Sequence, residues 1–213
     1  MKKQIIKTIA VLTILLTSHF ATAQNTSLLV NGDIIFHKSQ TQQAAALREA
    51  TGSEWTHVGI LLQNQTNGAW YVAEAVGPVK STPLKDFIAR GKNKEYRIYR
   101  DTFFNPKTMT DKLIASIKKN NKPYDIYFEF TDERTYCSEL VYKAFNDAMG
   151  KPVGTLQKMK EMKLDGPYVK ALIKKRLTDT GRKLNPEEPI ITPINQMLDK
   201  NLKLIASSPT KNK

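Results

Sequence analysis

The feature that most limits the fold of this chain is a pair of short apolar strands joined by a polar turn. Residues 55–62 alternate, with Val58, Ile60 and Leu62 on one face and His57 on the other. Residues 64–68 are a polar turn, and residues 70–76 are a second strand. Because consecutive strands joined by a short turn pair antiparallel, the pattern predicts a central antiparallel hairpin.

Around this hairpin, the sequence predicts further short strands and several helices. The strands are residues 34–36, after an Asn31-Gly32-Asp33 turn, and residues 96–99. Residues 185–193 are expected to be extended. The predicted helices are residues 42–50, 84–89, 110–119, 136–149, 168–177 and 194–198.

The N-terminus has the pattern of a secretory signal peptide over residues 1–23. A basic start precedes an apolar stretch, and Ala21-Thr22-Ala23 resembles a cleavage site. The alternative is a membrane anchor, but the apolar stretch is shorter than the roughly 20 residues that span a bilayer. No later segment is long and apolar enough to cross a membrane. We therefore expect an exported protein, periplasmic or secreted, with no transmembrane segment after signal removal.

The mature chain has the size of one domain and a strongly basic charge. We expect the domain to span residues 24–200, with a flexible basic tail at residues 201–213. The formal net charge is +13, and loss of Lys2, Lys3 and Lys7 with the signal peptide leaves +10. Such a charge favours an anionic surface, such as a cell-wall polymer or lipid headgroups. No nucleic-acid recognition motif is present, and export argues against that partner.

Cys137 is the single cysteine of the chain, so it cannot form an internal disulfide. It is either a buried apolar side chain or a nucleophile. A nucleophilic thiol must first become a thiolate, which a nearby imidazolium or a helix N-terminus favours. Cys137 lies in the first turn of the predicted helix 136–149, with Thr135 as the expected N-cap. This position favours the reactive interpretation.

A general base for this thiol must come from a distant part of the chain. His19 leaves with the signal peptide, and His37 follows a short strand and is expected in a loop. His57 lies inside the hairpin, where Gly59 is expected to leave room beside the imidazole. Glu74, between two alanines in the paired strand, either orients His57 or points to solvent.

Five motifs in order carry a resemblance to a known family. They are Asn31-Gly32-Asp33-Ile34-Ile35-Phe36, Trp55-Thr56-His57-Val58-Gly59-Ile60, Glu74-Ala75-Val76-Gly77-Pro78-Val79, Lys122-Pro123-Tyr124-Asp125 and Tyr136-Cys137-Ser138-Glu139-Leu140-Val141. The chain resembles the circularly permuted branch of the NlpC-type papain-like cysteine hydrolases, the YiiX/YebB-like group. The resemblance spans residues 31–198. In the permuted branch the histidine strand precedes the cysteine helix, as it does here.

The resemblance implies an α+β papain-like fold in which a cysteine-bearing helix packs on a small antiparallel sheet. It implies a catalytic Cys137, His57 and Glu74. Unpermuted relatives often have a second histidine as the third residue, so Glu74 departs from their pattern. Tyr124 and Ser138 are candidates for oxyanion or substrate binding.

These residues predict acyl transfer through a thioester, without a metal or other cofactor. The first hypothesis for the substrate is an amide in a cell-wall peptide or related acyl-amino compound. The second is a lipid or other acylated small molecule, cleaved or transferred at the same Cys-His site. A deep apolar groove beside Cys137 would favour the second hypothesis. A third hypothesis is a catalytically silent binding module, which predicts that His57 and Cys137 are held apart or that the cleft is blocked.

Overall fold

The structure, a computed structural model, describes residues 26–209. The predicted signal peptide at residues 1–23 lies outside the described residues. The strands are β1 Ile34–His37, β2 His57–Gln63, β3 Trp70–Ala75, β4 Val79–Pro83, β5 Tyr96–Asp101, β6 Gln157–Lys158, β7 Pro189–Ile190 and β8 Leu202–Ser207. The α-helices are α1 Gln42–Thr51, α2 Leu84–Arg90, α3 Pro106–Lys119, α4 Cys137–Met149, α5 Pro167–Arg176 and α6 Pro193–Met197. None of the described helices has both the length and the apolar character that a bilayer crossing needs.

Six strands form an antiparallel sheet in the order β4-β3-β2-β1-β5-β8. The predicted hairpin is confirmed, with Ile60 of β2 opposite Ala73 of β3. On the other side of β2, the antiparallel register places His37 opposite His57. His37 is therefore the last residue of β1, and not the loop residue that the sequence suggested.

The two faces of the sheet pack against different helices. Phe36 and Ile60 point to one face, where they share a core with Leu113 of α3 and with Val141 and Phe145 of α4. On the other face, side chains of β1, β2 and β3 pack against α2 in a second core that contains Ile35, Leu61, Val72, Leu84 and Phe87. Burial of both apolar faces is the main force that holds the helices on the sheet.

Helix α4 begins at Cys137, and Tyr136 is its N-cap residue. The Glu139 carboxylate accepts a hydrogen bond from the Tyr136 N–H at 3.3 Å. The prediction that Thr135 caps the helix is wrong, because Tyr136 occupies the cap position and the Thr135 hydroxyl has no hydrogen-bond partner among the described residues. Its N–H donates to Pro123 O and its carbonyl accepts from Asp125 N, each at 3.0 Å. These bonds attach the loop that carries Tyr124 to the start of α4.

The start of α4 is also hydrogen-bonded to the C-terminal part of the domain. The Ser138 hydroxyl donates to Ile191 O at 2.9 Å, and the Tyr136 hydroxyl accepts from Ile191 N at 3.1 Å. The Gln196 side-chain amide donates to Ser138 O at 2.9 Å. Residues 190–196 are therefore part of the support of the cysteine-bearing helix.

Two strands at the edges of the sheet differ from the sequence prediction. The expected flexible tail at residues 201–213 is wrong for Leu202–Ser207, which form β8 and pair with β5. The domain thus extends to at least Ser207, and residues 210–213 lie outside the described residues. Strand β4 was not predicted, because Lys80, Ser81 and Thr82 give it a polar pattern.

Candidate active site

Cys137 and His57 meet where the N-terminus of α4 approaches the first residue of β2. The Cys137 residue is 4% exposed and His57 is 9% exposed. Cys137 is a free cysteine. It lies close enough to the His57 imidazole to raise the pKa of that ring. The structure therefore brings together a thiol and an imidazole that are 80 positions apart in the sequence.

The charge of the His57 ring depends on this thiol. Burial alone would lower the pKa of His57, but the negative charge of the Cys137 thiolate and its hydrogen bond, together with Glu74, raise it to about 9. His57 Nε2 lies 2.6 Å from Glu74 Oε2, which leaves Nδ1 as the ring nitrogen for Cys137. The raised pKa keeps the His57 ring positively charged at neutral pH.

Glu74 is fully buried and held by three neighbouring side chains. Besides His57, the Thr82 hydroxyl donates to Oε1 at 2.6 Å, and Arg90 donates to the same oxygen. Burial would raise the pKa of Glu74, but its bonds to His57 and Thr82 and the charge of Arg90 lower it to about 2. The carboxylate is therefore ionised and points at His57, and the alternative of a solvent-facing Glu74 is wrong.

His37 lies beside His57 but has a different character. The two ring centroids are 5.0 Å apart, and His37 also packs edge-on against Phe87. Its ring nitrogens have no hydrogen-bond partner among the described residues. Burial and the positive charges of His57 and Arg90 lower the pKa of His37 to about 3, so this ring is neutral at pH 7.

The two candidates for oxyanion or substrate binding differ in their availability. The Tyr124 hydroxyl accepts a hydrogen bond from Gln43 Nε2 at 2.6 Å, which leaves its own hydrogen free to donate. Burial and the Cys137 thiolate raise the pKa of Tyr124 above its usual value, so this hydroxyl stays protonated. The Ser138 hydroxyl, by contrast, is buried and donates to Ile191 O, so its role is in the fold.

Two cavities of opposite character open beside the thiol. The first has a volume of about 80 Å³ and is bounded by Cys137, α1, α5 and the segment around Ile190. Its walls are almost entirely apolar and include Ala46, Met159, Met162, Leu172, Ile173 and Leu177. The second cavity is polar and reaches His57, His37, Arg90 and Tyr124. Gln43, Leu47, Ile126 and Arg176 line both cavities, so the two are adjacent.

The comparison with protein families identifies this arrangement. A sequence model described as "Permuted papain-like amidase enzyme, YaeF/YiiX, C92 family" matches residues 29–205. The chain belongs to this family. It is thus a permuted papain-like amidase, and the α+β fold expected from the sequence motifs is confirmed.

Individual relatives agree with this assignment. This amidase is 40% identical to the uncharacterized protein YiiX of Escherichia coli strain K12 over 163 residues, which are 76% of this chain and 78% of YiiX. It is also similar to the crystal structure of YiiX from Escherichia coli O157:H7, which is described as a metalloprotein. That similarity has a TM-score of 0.77 at 38% identity and covers 84% of this chain and 97% of the other.

The sequence located the central residues of the amidase site but missed several that surround them. It did not indicate Thr82, because β4 was not predicted. It also did not indicate Arg90, the last residue of α2, whose contact with Glu74 depends on tertiary packing. Gln43 and Arg176 come from helices that are 133 positions apart, and they meet at 2.8 Å only in the folded chain. The signal that could have found Arg90 was the need for a cation beside a buried carboxylate.

Proposed function

We propose that this amidase hydrolyses an amide whose acyl part is an apolar chain, with Cys137 as nucleophile, His57 as general acid and base, and Glu74 as the group that orients His57. The observation that carries the proposal is the apolar cavity that begins at Cys137. Its volume of about 80 Å³ has room for the first few carbons of such a chain. An acyl chain in this cavity would place its carbonyl carbon beside the sulfur.

The reaction would begin with attack of the Cys137 thiolate on the amide carbonyl. A new C–S bond forms, and the carbonyl oxygen takes the negative charge of a tetrahedral intermediate. N–H groups of the first turn of a helix have no acceptor within the helix, so the Cys137 N–H is suited to this oxyanion. The Tyr124 hydroxyl, whose hydrogen is free, is the second suitable donor.

The imidazolium would then complete both halves of the reaction. His57 gives its proton to the amide nitrogen, the C–N bond breaks, and the amine leaves from the thioester. The neutral ring next takes a proton from water, which attacks the thioester carbonyl. Release of the acid returns the thiolate and the imidazolium. Glu74, 2.6 Å from Nε2, stabilises the charged ring in each step.

No step in this scheme uses a metal. YiiX of Escherichia coli O157:H7 is described as a metalloprotein. Over residues 26–209 of this chain, however, no three His, Cys, Asp or Glu side chains form a group suited to a metal ion. The ligand-type side chains at the site, Cys137, His57 and Glu74, are instead bonded to one another.

Two rival hypotheses make different predictions at the same site. A silent binding module would hold His57 and Cys137 apart, and this does not agree with the proximity that lets Cys137 raise the pKa of His57. A peptidase specific for cell-wall peptides would prefer a polar subsite for the acyl side, whereas the walls beside Cys137 are apolar. Export and an anionic cell surface as the place of action remain part of the proposal, supported by the N-terminal pattern and the charge of +13.

Acyl-length dependence tests the proposal. We expect kcat/KM for an N-dodecanoyl amide to exceed that of the N-acetyl amide of the same amine by ~100-fold or more, since each buried methylene contributes about 0.8 kcal/mol. Cys137→Ala and His57→Gln should remove turnover of both substrates. Leu172→Trp, which fills the cavity, should reduce the preference for the long chain while acetyl turnover reports that the protein is folded.

Four outcomes would contradict the proposal. Equal turnover of both chain lengths would remove the role of the cavity. A muropeptide cleaved faster than the dodecanoyl amide would favour the peptidase hypothesis. Turnover retained by folded Cys137→Ala would remove the nucleophile. Dodecanoyl esters, tested alongside, separate amide from ester hydrolysis, and faster ester cleavage would contradict the proposed amide specificity.

A further inference from the structure

The direction in which the Tyr124 hydroxyl donates is decided by the residue that it contacts. A phenol hydroxyl has one hydrogen, which it can turn toward any acceptor within reach. Tyr124 can donate to an oxyanion only if that hydrogen is not used elsewhere. Its oxygen lies 2.6 Å from the side-chain amide of Gln43, in the first turn of α1. The orientation of this amide therefore decides whether Tyr124 is available as a donor.

The amide of Gln43 is oriented by Arg176. A glutamine side chain has an oxygen that accepts and a nitrogen that donates, and the two ends have almost the same shape. A guanidinium can only donate, and Arg176 Nη2 lies 2.8 Å from Gln43 Oε1. The oxygen end is thus occupied, and the nitrogen end must face Tyr124. The Tyr124 oxygen then accepts, and its hydrogen points away from Gln43.

Arg176 is held in place by the loop that carries Tyr124. Its Nη1 donates to Ile126 O at 2.9 Å, and its guanidinium lies 5.6 Å from the centre of the Phe128 ring. The same side chain thus binds both this loop and, through Gln43, helix α1. Helices α1 and α5 also share a small apolar core. The hydrogen bonds between the three side chains therefore join parts of the chain whose relative positions are fixed by packing.

The free hydrogen of Tyr124 lies near the reacting atoms. Tyr124 borders the same polar cavity as His57. Burial and the nearby Cys137 raise the pKa of Tyr124, so the hydroxyl keeps its hydrogen at neutral pH. An acyl carbon attacked by Cys137 would bring its oxygen into the same region of the site.

We infer that Gln43 and Arg176 are positioning residues, which orient the Tyr124 hydroxyl so that it donates to the oxyanion. The side chains form a donor chain, in which Arg176 donates to Gln43 and Gln43 donates to Tyr124. The positive charge at the start of this chain polarises each later bond, which strengthens the last one. This inference rests on the proposed function, because it explains how one of the two proposed oxyanion donors is kept available.

Reversal of the polarity at position 43 tests the donor chain. Gln43→Glu keeps the size of the side chain and its bond to Arg176, but a carboxylate only accepts. Tyr124 would then donate to the new carboxylate and be lost to the oxyanion. We expect kcat for the dodecanoyl amide to fall ~100-fold, as in Tyr124→Phe, because the loss of one oxyanion donor has about this effect. KM should change by less than ~3-fold, since the oxyanion forms only in the reaction itself.

Two comparisons separate the orientation of Tyr124 from a merely structural role of Gln43. Gln43→Met removes both hydrogen bonds but leaves the Tyr124 hydroxyl free, so kcat should fall less than in Gln43→Glu. A role limited to holding the helices together predicts the opposite order, because only Gln43→Glu keeps the bond to Arg176. The double variant of Tyr124→Phe and Gln43→Glu should be no slower than Tyr124→Phe alone, since Gln43 acts through the hydroxyl.

Variants at the start of the donor chain test Arg176. Arg176→Met removes the group that fixes the amide of Gln43, so kcat should fall ~10-fold, whereas Arg176→Lys still donates and should restore part of the loss. Lys175→Met is the matched control, because it removes an exposed charge from the same helix and should leave kcat unchanged. Thermal unfolding of each variant checks that it is folded.

A second substrate separates this inference from the proposed function. Para-nitrophenyl acetate acylates a reactive cysteine without a long acyl chain or a leaving amine, and its acylation passes through the same oxyanion. If the wild type releases nitrophenolate but does not hydrolyse the dodecanoyl amide, and the variants keep the expected order, the proposed function fails and the donor chain stands. No reaction with either substrate overturns both.

Three results with active wild-type enzyme would overturn the donor chain alone. The first is a folded Gln43→Glu variant with wild-type kcat, or one that is less impaired than Gln43→Met. The second is a further loss when Gln43→Glu is added to Tyr124→Phe, which would show that Gln43 acts independently of the hydroxyl. The third is wild-type kcat in Tyr124→Phe, which would remove the donor that the chain is inferred to orient.

Discussion

The charge of His57 is set by its two bonded partners more than by its burial. Burial opposes the charge, while the Cys137 thiolate and Glu74 favour it, and together they raise the pKa to about 9. Cys137 and Glu74 both raise the pKa of His57, so neither residue explains the charge of the ring alone. The chemistry therefore belongs to the group of three, and each member can be tested through the others.

Removal of the thiol should change the titration of His57. In Cys137→Ala the negative charge and hydrogen bond of the sulfur are lost, so we expect the pKa of His57 to fall below about 9. Histidine NMR as a function of pH would measure this change. His37, whose pKa is lowered to about 3 mainly by burial, should stay neutral from pH 5 to 9 in both proteins. An unchanged His57 titration would contradict the contribution of Cys137 to the pKa of His57.

Loss of the Glu74 charge should slow the reaction. Glu74→Gln keeps the size of the side chain but replaces a charge-assisted hydrogen bond to His57 with a weaker one. With ~1.5–3 kcal/mol lost from that bond, kcat should fall roughly 10- to 100-fold. Steady-state kinetics with the dodecanoyl amide would measure it. A variant with wild-type kcat would show that Glu74 does not act on the imidazole.

The same substitution should make stability depend less on pH. Folding lowers the pKa of the buried Glu74 from 4.5 to about 2, which contributes about 3 kcal/mol of stability. This contribution is complete above pH 4.5 and is lost as the pH falls through 2. Urea unfolding should thus show a larger deficit for Glu74→Gln at pH 6 than at pH 3. Equal deficits at both pH values would contradict the lowered pKa.

For single residues, the sequence predicted the catalytic candidates but not the side chains that bind them. Cys137, His57 and Glu74 were found from position and motif, and the structure places them in contact. Arg90, Thr82 and Arg176 were missed because each reaches the site from an element whose position depends on tertiary packing. A polar residue that contacts a buried carboxylate in the folded protein cannot be distinguished, in the sequence alone, from a polar residue that faces solvent.

The hairpin of β2 and β3 holds His57 beside Glu74 because the two strands approach closely at Gly59. A Cβ atom built at Gly59 would lie 2.4 Å from Val72 Cγ1 and 2.9 Å from Ala73 O. The sequence suggested that this glycine leaves room beside the imidazole. The structure instead shows that the room is taken by the neighbouring strand.

Addition of a methyl group at Gly59 should disturb this hairpin. We expect Gly59→Ala to lower the free energy of unfolding by ~1–3 kcal/mol, as overpacking does, and to reduce kcat because His57 and Glu74 lie on the two strands that must separate. Gly77→Ala is the matched control, since nothing lies within 4 Å of a Cβ there. Thermal unfolding of both variants would measure the effect, and equal stability would contradict the close approach.

Helices and strands whose apolar residues recur with a strong period were predicted well from the sequence. Strands with a weak apolar pattern were not. Helix α4 was expected at residues 136–149 and begins at Cys137 because Tyr136 is the cap. Strands β4 and β8 are polar or half-exposed edge strands, so their pairing is decided by the neighbouring strand and not by their own alternation. The apolar cavity also could not be predicted, because its walls come from α1, α5 and residues 190–191.

For the whole molecule, β8 closes one edge of the sheet. Strand β5 would otherwise present unpaired N–H and C=O groups, which favour association between chains. A chain that ends after Asn201 should therefore be less stable and should associate at micromolar concentration. Urea unfolding and light scattering would measure this, with a chain that ends after Pro209 as the control. A monomeric, fully stable truncated chain would contradict the role of β8.

The support of α4 by residues 190–196 also has a consequence for synthesis on the ribosome. A nascent chain that has reached residue 190 already contains Cys137, His57 and Glu74. It still lacks the Ile191 carbonyl that receives the Ser138 hydroxyl and the Gln196 amide that binds Ser138 O. The first turn of α4 thus gains these contacts only after a segment more than 50 positions further along the chain has been made.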